Sequence, residues 1–281
     1  MTAVTGVMAT PEAGAPGVRG SALGWALADA VTVTKRNLIA ITRNPQALVF
    51  HGVQPILFVL LFRYVFGGAI HLPGQLGVEL KHHYVNYLMP GIFVQTMAFG
   101  SVSTAIGLAE DLQKGLIERF HALPMARSAV LAGRSFADMV RNVATFVLMT
   151  GVGYAVGFRV QTNAAGFLAG AALVLVFSFA LSWGFAVIGL TASNSETAQV
   201  TSFPLLFPLV FASPAFVPTS EMPKWLGDFA TYQPFGPVVE GVRALMFGGP
   251  TATHVEEALA WVVGLLAVLV PLAVWRYRRA A

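Results

Sequence analysis

Few side chains in this sequence could do chemistry. Of its 281 residues only 11% are charged and none is cysteine, so there is neither a disulfide framework nor a thiolate metal site. The chain also lacks the G-x-x-x-x-G-K-[ST] phosphate loop, the G-x-S-x-G nucleophile turn and the H-E-x-x-H zinc pair. We therefore predict no catalytic, cofactor-binding or metal-binding residue, and we predict that the chain is not an enzyme.

Titratable groups that could drive transport are equally scarce. A proton-coupled carrier places Asp, Glu or His on the ion path inside the membrane. Here the long apolar stretches hold only Asp138, at the margin of one of them, and His51, which we interpret as interfacial. His82-His83 has no obvious further metal ligands nearby and is interpreted as solvent-exposed. The energy for any transport is thus predicted to come from another subunit.

One cluster of charges is dense enough to bind a partner. It runs from Glu110 to Phe120 and reads as a helix that Pro124 ends. Its apolar residues Leu112, Leu116, Ile117 and Phe120 share one face, which suits a helix bound on one side and solvated on the other. The alternative is a fully solvated loop helix. The residues predicted to act in such a contact are Asp111, Lys114, Gly115, Leu116, Glu118, Arg119, Phe120 and Pro124.

A second group of side chains could line a path for a solute. Gln95 and Thr96 are polar residues in an apolar stretch, and Phe203, Phe207 and Phe211 recur every four residues, so their rings share one helical face. Such a stripe suits a flat amphipathic drug or lipid, and it equally suits helix packing.

Arg63 lies inside an apolar stretch. It can reach the headgroups, or it can pair with Glu240 or Asp228 and hold an outer gate.

These side chains must be positioned by membrane-spanning helices. With 56% hydrophobic residues grouped in long blocks, the sequence predicts an all-α integral membrane protein, because about 20 apolar residues cross a bilayer. Six spans are predicted, near 47–70, 86–109, 136–158, 167–190, 198–218 and 258–275.

Three further segments surround these spans. Residues 1–20 are predicted to be a disordered cytosolic tail, and 21–44 an amphipathic helix on the membrane surface or packed against the protein. The apolar but Pro- and Gly-interrupted stretch 220–257 is predicted to form re-entrant or interfacial helices on the outer side. Residues 45–281 would then form one transmembrane domain.

Charge distribution predicts the orientation. With both termini in the cytosol, twelve Lys and Arg residues lie inside and four outside, which follows the positive-inside rule. Arg134 and Arg141 are among the twelve. We predict a multi-pass protein of a bacterial plasma membrane. The net charge of +4 reflects these flanking residues and does not indicate a nucleic-acid partner.

The order of these features resembles the type-2 ABC exporter permeases, especially the daunorubicin and multidrug-resistance branch. The matching motifs are Arg43-Asn44-Pro45, Gln54-Pro55, Phe66-Gly67-Gly68, Asp111-Leu112, Glu118-Arg119-Phe120, Leu123-Pro124, Arg127-Ser128, Ala132-Gly133-Arg134, Gly157-Phe158-Arg159, Gln233-Pro234 and Arg243-Ala244-Leu245. Together they cover nearly the whole chain from residue 30.

The resemblance implies that segment 110–124 contains a coupling helix that docks on a separate ATPase subunit, which carries ATP and Mg²⁺. It also implies a second permease, identical or homologous, in the lipid bilayer. The cargo would be a hydrophobic drug or antibiotic, or alternatively a lipid or lipid-linked polysaccharide. An ATP-independent secondary transporter and a membrane enzyme remain rival interpretations.

Overall fold

The computed structural model describes residues 31–32, 34–35, 39, 45–66, 84–115 and 127–279. These residues form α-helices and contain no β-strand. The helices are α1 (Pro45–Leu61, continued by a π-helical turn Phe62–Phe66), α2 (Tyr84–Gln113), α3 (Arg127–Ala155), α4 (Ala164–Thr191), α5 (Ser195–Phe211), α6 (Lys224–Tyr232), α7 (Phe235–Phe247) and α8 (Thr251–Arg279).

The fold is that of an all-α, multi-pass membrane protein. A long helix lies at each predicted span, and α2, α4 and α8 are each long and apolar enough to cross a bilayer. At 1.5 Å per residue, the 28 to 30 residues of these helices extend about 42–45 Å, more than the roughly 30 Å of hydrocarbon. That all six helices span remains a prediction.

α2 is the central helix of the bundle. Most of its residues are buried, including Tyr87, Ile92 and Met97. It lies closest to α4, where Ser101 Oγ donates to the Ser178 carbonyl at 3.0 Å. A Cβ atom on Gly189 of α4 would collide with the backbone carbonyl of Ala105, so glycine permits this close approach, as is common between membrane helices.

α5 ends earlier than predicted. The predicted span 198–218 is helical only to Phe211, because Pro214 and Pro218 beyond it cannot donate a helical hydrogen bond. Pro204 and Pro208 are accommodated inside the helix. At 17 residues, α5 is about 25 Å long, and the turn that follows it packs on α2.

The predicted outer segment contains two short helices, α6 and α7. α7 is mostly buried and packs against α2, α4 and α8. It lies at the same end of the bundle as the start of α2, which we call the Tyr84 end; the opposite end is the Gln113 end. Whether α6 and α7 are re-entrant or interfacial remains a prediction.

Asp138 and Arg141 lie farther from the start of their helix than the sequence indicated. The third span was predicted to begin at residue 136, which placed both residues at its margin. α3 instead begins at Arg127, so that Arg141 is the middle residue of a 29-residue helix. Residues 1–20 lie outside the described part of the chain, as does most of 21–44. Within 21–44, Thr34 Oγ1 donates to the Gly133 carbonyl of α3 at 2.9 Å.

Candidate functional site

A cavity of about 200 Å³ lies inside the bundle, between α1, α2, α3 and α5. Its apolar wall includes Phe58, Phe99 and Phe203 from three different helices. Polar side chains on the same wall include the predicted path residues Gln95 and Thr96. The complete lining is Gln54, Pro55, Phe58, Gln95, Thr96, Phe99, Gly100, Val102, Ser103, Ile106, Arg141, Asn142, Thr145, Gln199 and Phe203. An apolar cavity with a few convergent polar groups is the usual form of a small-molecule site.

The aromatic stripe of α5 lies partly in the cavity wall and partly outside it. Phe203 lines the cavity and lies 5.8 Å from the ring centroid of Phe99. Phe207 and Phe211 are outside the lining and stack on each other at 4.2 Å. Phe211 in turn stacks on Phe216, which continues the row toward the Tyr84 end. A role for Phe207 and Phe211 along a solute path therefore remains a prediction.

A buried ion pair supports the cavity wall. Arg141 Nη1 lies 2.9 Å from Asp138 Oδ1, and both side chains are nearly buried. Arg141 Nη2 also donates to the Gly100 carbonyl at 2.7 Å, while Asp138 accepts a short hydrogen bond from Thr104. These contacts join α3 to the middle of α2. These contacts were not predicted from the sequence, although the spacing of three residues between Asp138 and Arg141 inside a helix favours an ion pair.

Gln95 differs from Asn142 and Thr145 on the same wall. It is only 4% exposed, and its side-chain oxygen Oε1 is buried without a hydrogen-bond partner. By contrast, Asn142 Nδ2 donates to Ser178 Oγ at 2.6 Å, and Thr145 Oγ1 donates to the Arg141 carbonyl at 3.1 Å. A buried acceptor without a partner costs about 1–3 kcal/mol, and Gln95 Oε1 is buried too deeply for a molecule in the cavity to reach it.

Arg243 closes the Tyr84 end of the bundle. Its guanidinium is buried over the Tyr87 ring, 3.7 Å from the centroid, and donates to the carbonyls of Tyr87 and Pro214 at 3.0 Å each. Glu240 pairs with it at 2.5 Å. Burial acts to lower the pKa of Arg243, but Glu240 and Tyr87 raise it, and the net pKa shift is upward, so the group stays charged.

The predicted pairing of Arg63 with Glu240 or Asp228 is not seen among the described residues. Glu240 is paired with Arg243, and Arg63 lies in the π-helical turn after α1. Within the described ranges, Arg63 forms an ion pair with neither Glu240 nor Asp228. An outer-gate role for Arg63 and Glu240 remains a prediction. Arg243 fastens α7 to α2 through the Tyr87 carbonyl, a contact that was not predicted because Tyr87 is 156 residues away in sequence.

The predicted ATPase-coupling segment is described only at its start. Leu116, Glu118, Arg119, Phe120 and Pro124 lie outside the described residues. Lys114 pairs with Glu110 at 3.2 Å on the surface, and Asp111 pairs with Arg134 of α3 at 2.7 Å. Gly115 has a positive φ of 63°, a conformation that glycine adopts readily, and α2 ends at Gln113 just before it.

Comparison with known proteins adds to this geometry. A sequence model of the ABC-2 type transporter family matches residues 29–247. The chain is 32% identical over 243 residues to a daunorubicin resistance ABC transporter permease protein, DrrB1, of Streptomyces coeruleorubidus, covering 86% of this chain and 83% of the relative. It is 27% identical over 258 residues to a probable doxorubicin resistance ABC transporter permease protein, DrrC, of Mycobacterium tuberculosis, covering 91% and 90%. A putative transport permease, ycf38, of Cyanophora paradoxa is 26% identical over 214 residues, covering 76% and 72%.

Proposed function

The chain belongs to the ABC-2 type transporter family, and on that premise we propose that it is the permease subunit of an ATP-driven exporter for hydrophobic drugs or antibiotics. The observation that carries the proposal is a family match over residues 29–247 together with a relative named for daunorubicin resistance that aligns with 86% of the chain. The cavity between α1, α2, α3 and α5 supports it, because its aromatic and amide wall suits a drug of that class.

The energy is proposed to come from a separate ABC ATPase that binds ATP and Mg²⁺. The permease itself has no phosphate loop, and the family to which it belongs supplies the membrane part of such transporters. The docking segment would be 110–124, between α2 and α3. Its described start supports this assignment, since exposed Lys114 and Glu110 leave charge at the surface for a partner to contact.

The Gln113 end of the bundle is proposed to face the cytosol of a bacterium. Arg276, Arg278 and Arg279 in the last turn of α8 lie at that end, as the positive-inside rule favours. Two permeases, identical or homologous, would assemble with two ATPases, and closure of the ATPases on ATP would shift the permeases between two packings.

The proposal is tested by drug export from a host that lacks its own efflux pumps. The permease is expressed with its ABC ATPase partner, and daunorubicin efflux is followed by fluorescence. Efflux should require both chains and should vanish when the phosphate-loop lysine of the ATPase is replaced by alanine.

Export by the permease alone that survives ATP depletion and follows the proton gradient would contradict the proposal and support a secondary transporter. ATP-dependent lipid movement without drug efflux would replace the drug with a lipid or lipid-linked glycan as the cargo.

A further inference from the structure

α8 is a peripheral helix with one exposed apolar stripe. Its most apolar 18 residues are only 17% buried inside the protein, against 78% for α2 and 39% for α4. The exposed side chains Val268, Leu272 and Trp275 are spaced by four and three residues, so they lie along one side of the helix. Ala273 and Tyr277 are at most 1% exposed and face the bundle. The stripe is therefore accessible to lipid acyl chains.

The stripe ends in arginines at the Gln113 end of the bundle. Arg279 lies one helical turn beyond Trp275, and its guanidinium carbon is 4.1 Å from the centroid of the indole ring. The guanidinium of Arg276 lies over the same ring at 5.2 Å. Both arginines are exposed. Cation–π contacts thus hold two positive groups together where the apolar surface stops.

Neither guanidinium is matched by an acceptor of the chain. In the part of the chain that the structure describes, Arg276 and Arg279 form no ion pair and no hydrogen bond. Arginines near the end of a helix can instead donate to nearby carbonyls. Arg159 at the Tyr84 end does so: it stacks on Tyr154, but its Nη1 donates to the carbonyls of Tyr154 and Phe158. The donors of Arg276 and Arg279 remain available to an external acceptor.

The ligand that fits this surface has a phosphate at the end of an acyl chain. Guanidinium groups bind phosphate oxygens through charge-assisted hydrogen bonds, and tryptophan is enriched at the level of the lipid headgroups. A soluble phosphate would use the arginines alone, whereas a phospholipid uses the apolar stripe as well. An anionic headgroup is favoured over a zwitterionic one, in which an ammonium group offsets the phosphate.

We propose that Arg276 and Arg279, held on the ring of Trp275, bind the headgroup phosphate of an anionic phospholipid such as phosphatidylglycerol. The acyl chain of that lipid lies along Leu272 and Val268. The arginines then form a lipid-binding site in addition to marking the orientation of the helix. The proposal requires α8 to cross the bilayer, but it depends neither on the cargo nor on an ATPase.

The test measures which phospholipid lies against α8. Because the chain contains no cysteine, a fluorophore can be attached at one position, Leu272→Cys, on the exposed stripe. The labelled full-length permease is placed in phosphatidylcholine vesicles with a minor fraction of nitroxide-labelled phosphatidylglycerol or, separately, nitroxide-labelled phosphatidylcholine. Quenching as a function of that fraction gives the preference for phosphatidylglycerol, which we expect to be about tenfold or more.

Two variants that each remove one charge are compared in the labelled chain. Arg279→Gln removes a guanidinium that lies on Trp275 and should lower the preference by about tenfold, the effect of one hydrogen bond to a charged group. Arg278→Gln is the matched control, because it removes the same charge from the same exposed turn without removing a guanidinium from the ring. It should lower the preference less than about fivefold, the diffuse contribution of one cation near an anionic surface.

A thermal measurement separates lipid binding from folding. Both positions are exposed, so the two variants should unfold at the wild-type midpoint in detergent without lipid. Added phosphatidylglycerol stabilises the state that binds it, and it should raise the midpoint of wild type and of Arg278→Gln more than that of Arg279→Gln.

Several results would overturn the inference. Equal quenching by the two lipids would show no preference, and equal losses in the two variants would show a diffuse electrostatic effect. Displacement of the labelled phosphatidylglycerol by free glycerol phosphate would assign the arginines to a soluble phosphate. Absence of quenching by either lipid would show that protein covers this face. Since the assay contains neither cargo nor ATPase, each of these results leaves the ATP-dependent export test standing.

Discussion

At the scale of single residues, the burial of the charged Asp138–Arg141 pair most needs a physical explanation. α3 is predicted to span the membrane, and a charged side chain at the centre of a bilayer costs about 2.5–3.5 kcal/mol on insertion scales. The structure offsets this cost by giving each charge two partners: Arg141 has Asp138 and the Gly100 carbonyl, and Asp138 has Arg141 and Thr104. Such a pair is stable as a unit, but either half alone would be an uncompensated buried charge.

Removing one partner should therefore destabilise the protein more than removing both. Arg141→Met or Asp138→Leu alone is expected to lower the free energy of unfolding by about 3–5 kcal/mol. The double variant should recover most of that loss, because no unpaired charge remains. Denaturant unfolding in detergent micelles measures the cycle, with Arg278→Met, at an exposed position of α8, as the control. Additive losses in the double variant would show that the two side chains are not coupled.

The sequence held part of this information. Gln95, Thr96 and Phe203 were predicted as path residues, and all three line the cavity, while their role in transport remains a prediction. The buried pair was missed because hydropathy alone began the third span at residue 136. The more polar turns from Arg127 to Ser135 belong to the same helix. Whether a helix extends into such a polar stretch depends on how the stretch packs, which hydropathy does not report.

At the scale of elements, small residues determine how closely the helices pack. The α2–α4 contact is the most extensive in the bundle, and Gly189 against the Ala105 backbone is its tightest described point for an added Cβ. Helices in lipid gain little from hydrophobic exclusion, so close van der Waals contact of this kind carries the association.

Gly189→Ala should consequently destabilise the bundle even though alanine favours a helix. We expect a net loss of about 1–3 kcal/mol from overpacking against a backbone that cannot move aside. Gly151→Ala in α3 is the matched control, because an added Cβ there meets nothing within 4 Å, and it should gain up to about 1 kcal/mol from helix propensity. Thermal unfolding in the same detergent compares the two. Equal midpoints would contradict close α2–α4 packing.

The positions of the elements could be predicted more fully than their ends and cross-links. Apolar blocks of about 20 residues located a helix at each of the six predicted spans. The early end of α5 was not predicted, because prolines inside a membrane helix are tolerated where neighbours satisfy the freed carbonyls. The carbonyls that follow its end accept hydrogen bonds from residues far away in sequence. Tyr84 donates to the Phe216 carbonyl, and Tyr87 donates to the Pro214 carbonyl. Pairs separated by more than 100 residues leave no periodic signal in one sequence.

At the scale of the whole molecule, the proposed docking segment and the cavity share two helices. The proposed docking segment 110–124 begins in the last turn of α2 and precedes α3, and Asp111 fastens the end of α2 to Arg134 of α3. Further along the same helices, Arg141 binds the Gly100 carbonyl beside the cavity. A displacement of the segment by an ATPase would thus move both helices as a unit and change the wall of the cavity.

Docking at this segment is tested by reversing its charges. Glu118→Lys combined with Arg119→Glu keeps the net charge but opposes any charge pattern on the ATPase, and juxtaposed like charges cost several kcal/mol. We expect copurified ATPase to fall by about tenfold or more, while the permease remains in the membrane at its usual level. The matched control exchanges charges at the Tyr84 end, with Lys224→Glu and Glu256→Lys at exposed positions, and should leave copurification unchanged. If the control releases the ATPase and the test variant does not, the ATPase docks at the opposite end, and the proposed orientation is reversed with it.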